Sequence, residues 1–290
     1  MYTTLIEPSK LAEHTADPNW VVVDCRFDLT RPDWGASAYA QGHVPNALYA
    51  HLDRDLSGLV TSTSGRHPLP SVEAFVATLS RWGVDENAQV IAYDQNNGAY
   101  ASRLWWLLRW LGHERVAVLN GGFAAWQQAG LPVQAGMPVS QQPGVRQARP
   151  FAARPARGAD VSTAELAALL ATGQLATRTR TLIDARGADR FAGQNETIDP
   201  IAGHVPGAIN YPFARNLDAQ GRFLPAQVLR TQWLDTLQGQ SPSEVIAMCG
   251  SGVTACHNLL ALETAGLTGA KLYAGSWSEW IRDAARPITQ

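Results

Sequence analysis

The chain repeats itself once, and that repeat constrains the fold more than any other feature of its 290 residues. An apolar run closing on an acid and an arginine occurs as Val21-Val22-Val23-Asp24-Cys25-Arg26 and again as Leu182-Ile183-Asp184-Ala185-Arg186. A turn follows each run, Gly42-His43-Val44-Pro45 and Gly203-His204-Val205-Pro206. A second apolar run comes next, Val90-Ile91-Ala92-Tyr93-Asp94 and Val245-Ile246-Ala247-Met248-Cys249. Each half closes on a glycine and tryptophan stretch, Gly121 to Trp126 and Gly275 to Trp280. The separations are 160 residues at Asp24/Asp184, 161 at His43/His204, 155 at Val90/Val245 and 154 at Trp126/Trp280. A spacing that long and that steady marks a duplicated domain rather than a solenoid repeat, and the length suits two domains of ordinary size. The expected division is a first domain over 1–140, a linker over 141–160 and a second domain over 161–290. The linker stretch is rich in Pro, Gly, Gln and Arg and has no apolar period.

Within each half, short β-branched runs alternate with amphipathic stretches such as Ser71 to Trp82, Ala101 to Leu111 and Thr163 to Ala171. Ser71 after Pro70, and Ser162-Thr163 before Glu165, are helix-start signals. The alternation implies an α/β fold, a parallel sheet covered by helices, in each half. Such sheets carry their reactive groups at the carboxyl ends of the strands, which is where Asp94 and Cys249 fall.

Composition narrows the function. A net charge of −2 gives no electrostatic reason to expect nucleic acid or an anionic membrane as partner. No apolar stretch reaches the roughly 18–20 residues of a membrane span. The first residues, interrupted by Glu7, Lys10, Glu13 and Asp17, do not read as a secretory signal. Three cysteines cannot all pair, so the cytoplasm is the expected compartment. Neither a cofactor nor a metal is expected. Cys249, Cys256 and His257 lack the Cys-x-x-Cys spacing of a metal site.

The run from Val245 to Ala255 reads as a buried strand, a tight loop and a helix beginning near Val253 or Thr254. A cysteine at the base of such a loop faces inward-pointing backbone N–H groups and the positive end of a helix, both of which favour thiolate. Gly250 and Gly252 let the backbone curl. Cysteine is often only a buried packing residue. Here the equivalent residue of the first half is Asp94, which cannot be a sulfur nucleophile, so the halves read as one active and one retired copy. A phosphatase loop would close with an arginine six or seven positions after the cysteine, where this chain has Ala255 and Cys256.

The Cys249-Gly250-Ser251-Gly252-Val253-Thr254-Ala255 loop, the paired Gly-His-Val-Pro turns and the closing Gly-Ser-Trp resemble the tandem-domain rhodanese family over nearly the whole chain. The resemblance implies two rhodanese-like domains, each with a five-stranded parallel sheet. The first is non-catalytic and the second carries Cys249 as a persulfide-forming nucleophile. Gly and Ser after the cysteine are similar to the 3-mercaptopyruvate branch, whereas thiosulfate sulfurtransferases typically follow it with Arg and Lys. Two fewer cations weaken the attraction for dianionic thiosulfate.

That branch further implies a proton-handling set of Ser251, His67 and Asp55, with Asp53 as the alternative acid. Arg190 holds the substrate carboxylate, and Gly250, Gly252, Val253 and Thr254 shape the substrate loop. A second carboxylate-binding arginine of the animal enzymes is missing, because the loop here reads Asn195-Glu196-Thr197-Ile198-Asp199-Pro200. Arg103 and Arg66 are the candidates to replace it. The implied partners are a small-molecule sulfur donor and an acceptor, either a thiol such as thioredoxin or a small thiol, or cyanide. Thiosulfate:cyanide transfer and a non-turnover persulfide carrier are the alternative functions. Trp277 is expected near the pocket mouth. Trp105, Trp106 and Trp110 are expected in the core or an interface, and the two Gly-His turns are expected to hold hydrogen-bonded histidines.

Overall fold

The computed structural model describes residues 1–136 and 147–290, so the start of the expected linker, 141–146, lies outside the described residues. The chain forms two compact units. The first comprises Met1–Gly58, Pro70–Ala156 and Ala219–Phe223, and the second comprises Leu59–Leu69, Arg157–Asp218 and Leu224–Gln290. Each unit thus includes a short segment that sequence position alone would give to the other.

In the first unit, β1 (Leu5–Ile6), β2 (Trp20–Asp24), β3 (Leu48–Tyr49), β4 (Gln89–Tyr93) and β5 (Val116–Leu119) form a parallel sheet in the order β1-β5-β4-β2-β3. The helices are α1 (Pro8–Ala12), α2 (Trp34–Gln41), α3 (Leu52–Asp55), α4 (Val72–Arg81), α5 (Ala101–Trp110) and α6 (Gly122–Gln128). Residues of β4 and β5 are buried throughout, which is why these strands read as unbroken apolar runs rather than alternating ones. Helix α4 starts where Ser71 accepts a hydrogen bond from the Ala74 amide, satisfying a donor that the first turn leaves open. Trp105 and Trp106 are buried in α5, and the Trp106 ring stacks on Trp110.

The second unit repeats the plan with α7 (Thr163–Ala171), β6 (Thr181–Asp184), α8 (Ala188–Phe191), β7 (Ile209–Asn210), α9 (Ala226–Leu237), β8 (Val245–Met248), α10 (Thr254–Thr264), β9 (Lys271–Leu272) and α11 (Ser276–Trp280). Ser162 and Glu165 form a reciprocal capping box at the start of α7. Its sheet runs β7-β6-β8-β9, all parallel. Four strands replace the expected five among the described residues. The counterpart of β1 has shrunk to a single bridge, Asp160 to Leu272, with the Val161 amide donating to the Leu272 carbonyl.

The duplication extends to atomic detail. Arg26 chelates Asp24 and donates to the Gly42 carbonyl, and Arg186 does the same with Asp184 and the Gly203 carbonyl. His43 stacks on Tyr39 at 3.8 Å and bonds its carbonyl, while His204 stacks on Phe191 at 3.8 Å and bonds its carbonyl. These buried pairs pin each strand end to its turn, because a buried guanidinium is tolerable only when its donors are matched. In register, Asp24 faces Tyr93 and Asp184 faces Met248. Asp94 and Cys249 therefore occupy the same place, one residue beyond the central strand of each sheet.

Candidate active site

The site builds from the end of β8. Cys249 follows the buried strand and is only 2% exposed. Its amide donates to Ser276 Oγ at 3.0 Å, and its carbonyl accepts from the Trp277 amide at 3.0 Å. Ser276 takes a positive φ of 52° to do this, and its hydroxyl in turn donates to the Tyr273 carbonyl. The start of α11 thus clamps the cysteine backbone. Gly252 has φ +76°, and a Cβ there would lie 2.3 Å from the Ala274 carbonyl oxygen, so only glycine closes this loop. Val253 and Thr254 then enter α10, where Val253 provides no side-chain cap.

Ser251 Oγ and His67 Nδ1 are 2.7 Å apart, and both residues are buried. They are 184 residues apart in sequence, and it is the segment Leu59–Leu69, counted with the second unit, that brings them together. That segment is tied down by the Gly65 amide donating to Glu279 and the Arg66 amide donating to Ser278 Oγ. His67 therefore directly follows two anchored residues rather than sitting on a free loop.

Two arginines flank the loop. A Cβ on Gly250 would fall 2.9 Å from Arg66 Nη2, and 3.6 and 3.8 Å from Arg190 Nη2 and Nη1. Glycine at this position leaves room for both guanidiniums at the residue after Cys249. Arg190 donates from Nε to both oxygens of Glu196 at 3.1 Å and from Nη2 to Asp199 at 3.2 Å. Arg66 Nη1 pairs with the other Asp199 oxygen. Glu196 also accepts from the Ile198 and Asp199 amides at 3.0 Å. Burial raises the Glu196 pKa, but the Arg190 hydrogen bonds and the two amides outweigh it, leaving the carboxyl below its ordinary range. For Asp199 the balance reverses. Burial pushes the carboxyl up against the pull of both arginines.

The remaining expected residues fall as follows. Asp55 belongs to the first unit, where its carboxylate accepts from the His51 amide at 2.8 Å and lies 3.5 Å from Arg81. Asp53 is exposed on α3. Arg103 is fully buried in α5 and donates to the Leu56 carbonyl, whereas Arg66 stands beside Arg190. Cys256 is buried, with its thiol on the Gly252 carbonyl at 3.3 Å. Trp277 does not line a mouth. It is fully buried, donates to the Ile201 carbonyl and carries the Arg186 guanidinium over its ring. Sequence reasoning missed Glu196 and Asp199. The available signal was two carboxylates, three residues apart, in a loop beginning five residues after an arginine.

The family described as "Rhodanese-like domain" matches residues 7–129 and 162–283. A relative from Pseudomonas aeruginosa named "Probable 3-mercaptopyruvate sulfurtransferase" is 45% identical over 98% of this chain and 97% of its own. The 3-mercaptopyruvate sulfurtransferase of Escherichia coli strain K12 is 35% identical over 96% of this chain and 95% of its own. Among solved structures, the 3-mercaptopyruvate sulfurtransferase from Leishmania major superposes with a TM-score of 0.82 at 34% identity, covering 96% of this chain and 74% of that one. With both halves matched and full-length relatives at these identities, the chain belongs to the rhodanese-like domain family and carries two copies of the domain.

Proposed function

We propose that the chain is a sulfurtransferase that takes a sulfane sulfur from 3-mercaptopyruvate onto Cys249 and passes it to a thiol or cyanide. The observation that carries this reading is the grouping of the Ser251–His67 pair and two guanidiniums at the two residues that directly follow one loop cysteine. In the first half-reaction the Cys249 thiolate attacks the substrate sulfur. An S–S bond forms, the C–S bond breaks, and the electron pair leaves on carbon as pyruvate enolate. The proton originally on the substrate thiol ends on the methyl group of pyruvate, so the step is proton-neutral and Cys249 is left as a persulfide anion. Ser251 and His67 relay that proton, with Asp55 proposed as the acid that orients His67. Arg190 binds the substrate carboxylate. The amides of Gly250, Gly252, Val253 and Thr254 surround the persulfide. In the second half-reaction an acceptor thiol, thioredoxin or a small thiol, attacks the outer sulfur and regenerates the thiolate; cyanide would leave as thiocyanate. On the division 1–140, 141–160 and 161–290, the nucleophile Cys249 belongs to the last part while His67 comes from the first, and cytoplasmic location suits a reduced thiol.

The reading is tested by incubating the protein with 3-mercaptopyruvate and following pyruvate and protein mass. Wild type is expected to gain one sulfur, roughly 32 Da, and to release pyruvate repeatedly when a thiol acceptor is present. Cys249→Ser is expected to do neither. Sulfur uptake by the serine variant would sink the assignment, and a single stoichiometric release of pyruvate would mark a carrier rather than an enzyme.

A further inference from the structure

Four charged groups meet beside Gly250. Asp199 spans two guanidiniums, one oxygen on Arg66 and the other on Arg190, and Glu196 chelates Arg190 through its Nε and the Nη2 that Asp199 also contacts. Glu196 also fixes Asp199 in place by accepting its amide hydrogen. The Asp199 side chain is 2% exposed, so this bridge is largely shielded from solvent. Arg66 still has a donor to offer: its Nε is buried and makes no hydrogen bond among the described residues.

The formal charge of these four groups is zero, two cations against two carboxylates, and Arg186, 3.6 Å from Glu196, is matched by its own Asp184. The arithmetic bears on which sulfur donor the site accepts. A bare pair of arginines attracts a dianion more than a monoanion, since Coulomb energy scales with the product of charges. Two carboxylates cancel that preference and leave what net charge does not erase, namely directed N–H donors that fit a planar carboxylate.

We propose that Asp199, by bridging Arg66 to Arg190, sets the site's preference for monoanionic carboxylate donors over dianionic thiosulfate. Asp199 acts through the arginines, holding their planes and offsetting one positive charge. This selectivity rests on the sulfurtransferase reading above.

The test compares kcat/KM for 3-mercaptopyruvate and for thiosulfate in wild type, Asp199→Asn and Asp199→Glu. Asp199→Asn adds one net positive charge, felt once by the monoanion and twice by the dianion. The expected result is a fall of about tenfold in the mercaptopyruvate-to-thiosulfate ratio, carried mainly by a lower KM for thiosulfate. The thiosulfate rate of that variant should also drop more steeply with added salt. Asp199→Glu should stay within about twofold of wild type, since it restores the charge. A ratio unchanged in a folded Asp199→Asn protein, or equal losses on both donors, overturns the inference. Should that variant fail to fold, wild-type inhibition decides. Pyruvate is expected to compete with mercaptopyruvate at least as tightly as sulfate, and tighter binding of sulfate overturns the proposal. Wild type that takes no sulfur from mercaptopyruvate contradicts the functional reading itself, whereas active wild type with an insensitive ratio contradicts only the role of Asp199.

Discussion

The two loops that follow the central strands began as copies and now hold different things. In the first unit Asp94 occupies the cradle. Its carboxylate accepts from the amides of Asn96, Gly98, Tyr100 and Ala101 at 2.8–3.2 Å. Burial pushes the Asp94 carboxyl up while these four donors pull it down. In the second unit the same position is Cys249, and the loop is shorter, five residues between β8 and α10 against seven between β4 and α5. An aspartate oxygen stands two bonds beyond Cβ, and so does the outer sulfur of a cysteine persulfide. The Asp94 loop therefore demonstrates, within this chain, that a strand-to-helix turn of this fold can hold an acceptor at that distance with main-chain donors. A fixed carboxylate fills one cradle permanently; a sulfur that comes and goes would fill the other in turn.

The largest effect should come from trying to exchange the roles. Asp94→Cys in the Cys249→Ser background puts a thiol in the first cradle, yet it is expected to restore less than about 1% of wild-type turnover. A nucleophile without its positioned proton donor and anion-binding groups loses factors of about 10²–10⁴ for each kind of help. The register of the duplicated strands puts Thr30 where the second half has Arg190, and the neighbouring Arg31 is exposed and paired with Asp28. Pyruvate release measures this directly, and substantial turnover in the double variant would show that the loop alone makes the site.

Stability separates the loops in the opposite sense. Asp94→Ala strands four amides, two of them, those of Gly98 and Ala101, buried; at about 1–3 kcal/mol for each buried donor left unsatisfied, a loss of about 3 kcal/mol is expected in urea unfolding. Cys249→Ala removes one small buried group, and about 1 kcal/mol is expected. Equal costs would mean that Asp94 is not the structural lock its hydrogen bonds imply.

Much of this was legible before any coordinates. The strand ends, the Gly-His turns and the cysteine loop are local features, and local sequence repeats them at steady spacing. Ser162 and Ser71 announced their helices because capping is decided within four residues. What escaped was non-local. His67 and Ser251 were associated only through family resemblance, since nothing in their own surroundings marks a pair 184 residues apart. Segment Leu59–Leu69 precedes the linker and reads as part of the first half, yet its hydrogen bonds to Ser278 and Glu279 are made in the second unit. Glu196 and Asp199 looked like the loss of an arginine. Arg66, the partner of Asp199, lies 133 positions from it, so the sequence could offer Arg66 only as one candidate beside Arg103 and gave no sign of the ion pair. The fifth strand of the second sheet was expected from the fold and survives as one bridge, because a single Leu272 pairing suffices to hold residues 159–161 at the edge.

The smallest effect expected is also the one that distinguishes the two carboxylates of the second site, a feature with no counterpart at Thr30. Glu196 is held below its ordinary value near 4.5, so folding favours its ionised form. Its contribution is therefore present above about pH 4.5 and is lost as pH falls through the lowered folded value. Asp199 is held above its ordinary 3.8, so its contribution is fully present below that pH and is lost as pH rises through the raised folded value. Glu196→Gln should accordingly lower the Tm at pH 7, with the gap from wild type closing as the solution is acidified. Asp199→Asn should be neutral or stabilising at pH 7, with any benefit shrinking towards pH 3. Thermal melts across that range read both signs at once. Were the two variants to move together with pH, the arginine bridge would be an ordinary surface ion pair, and the difference between the two cradles would rest on Cys249 and its loop alone.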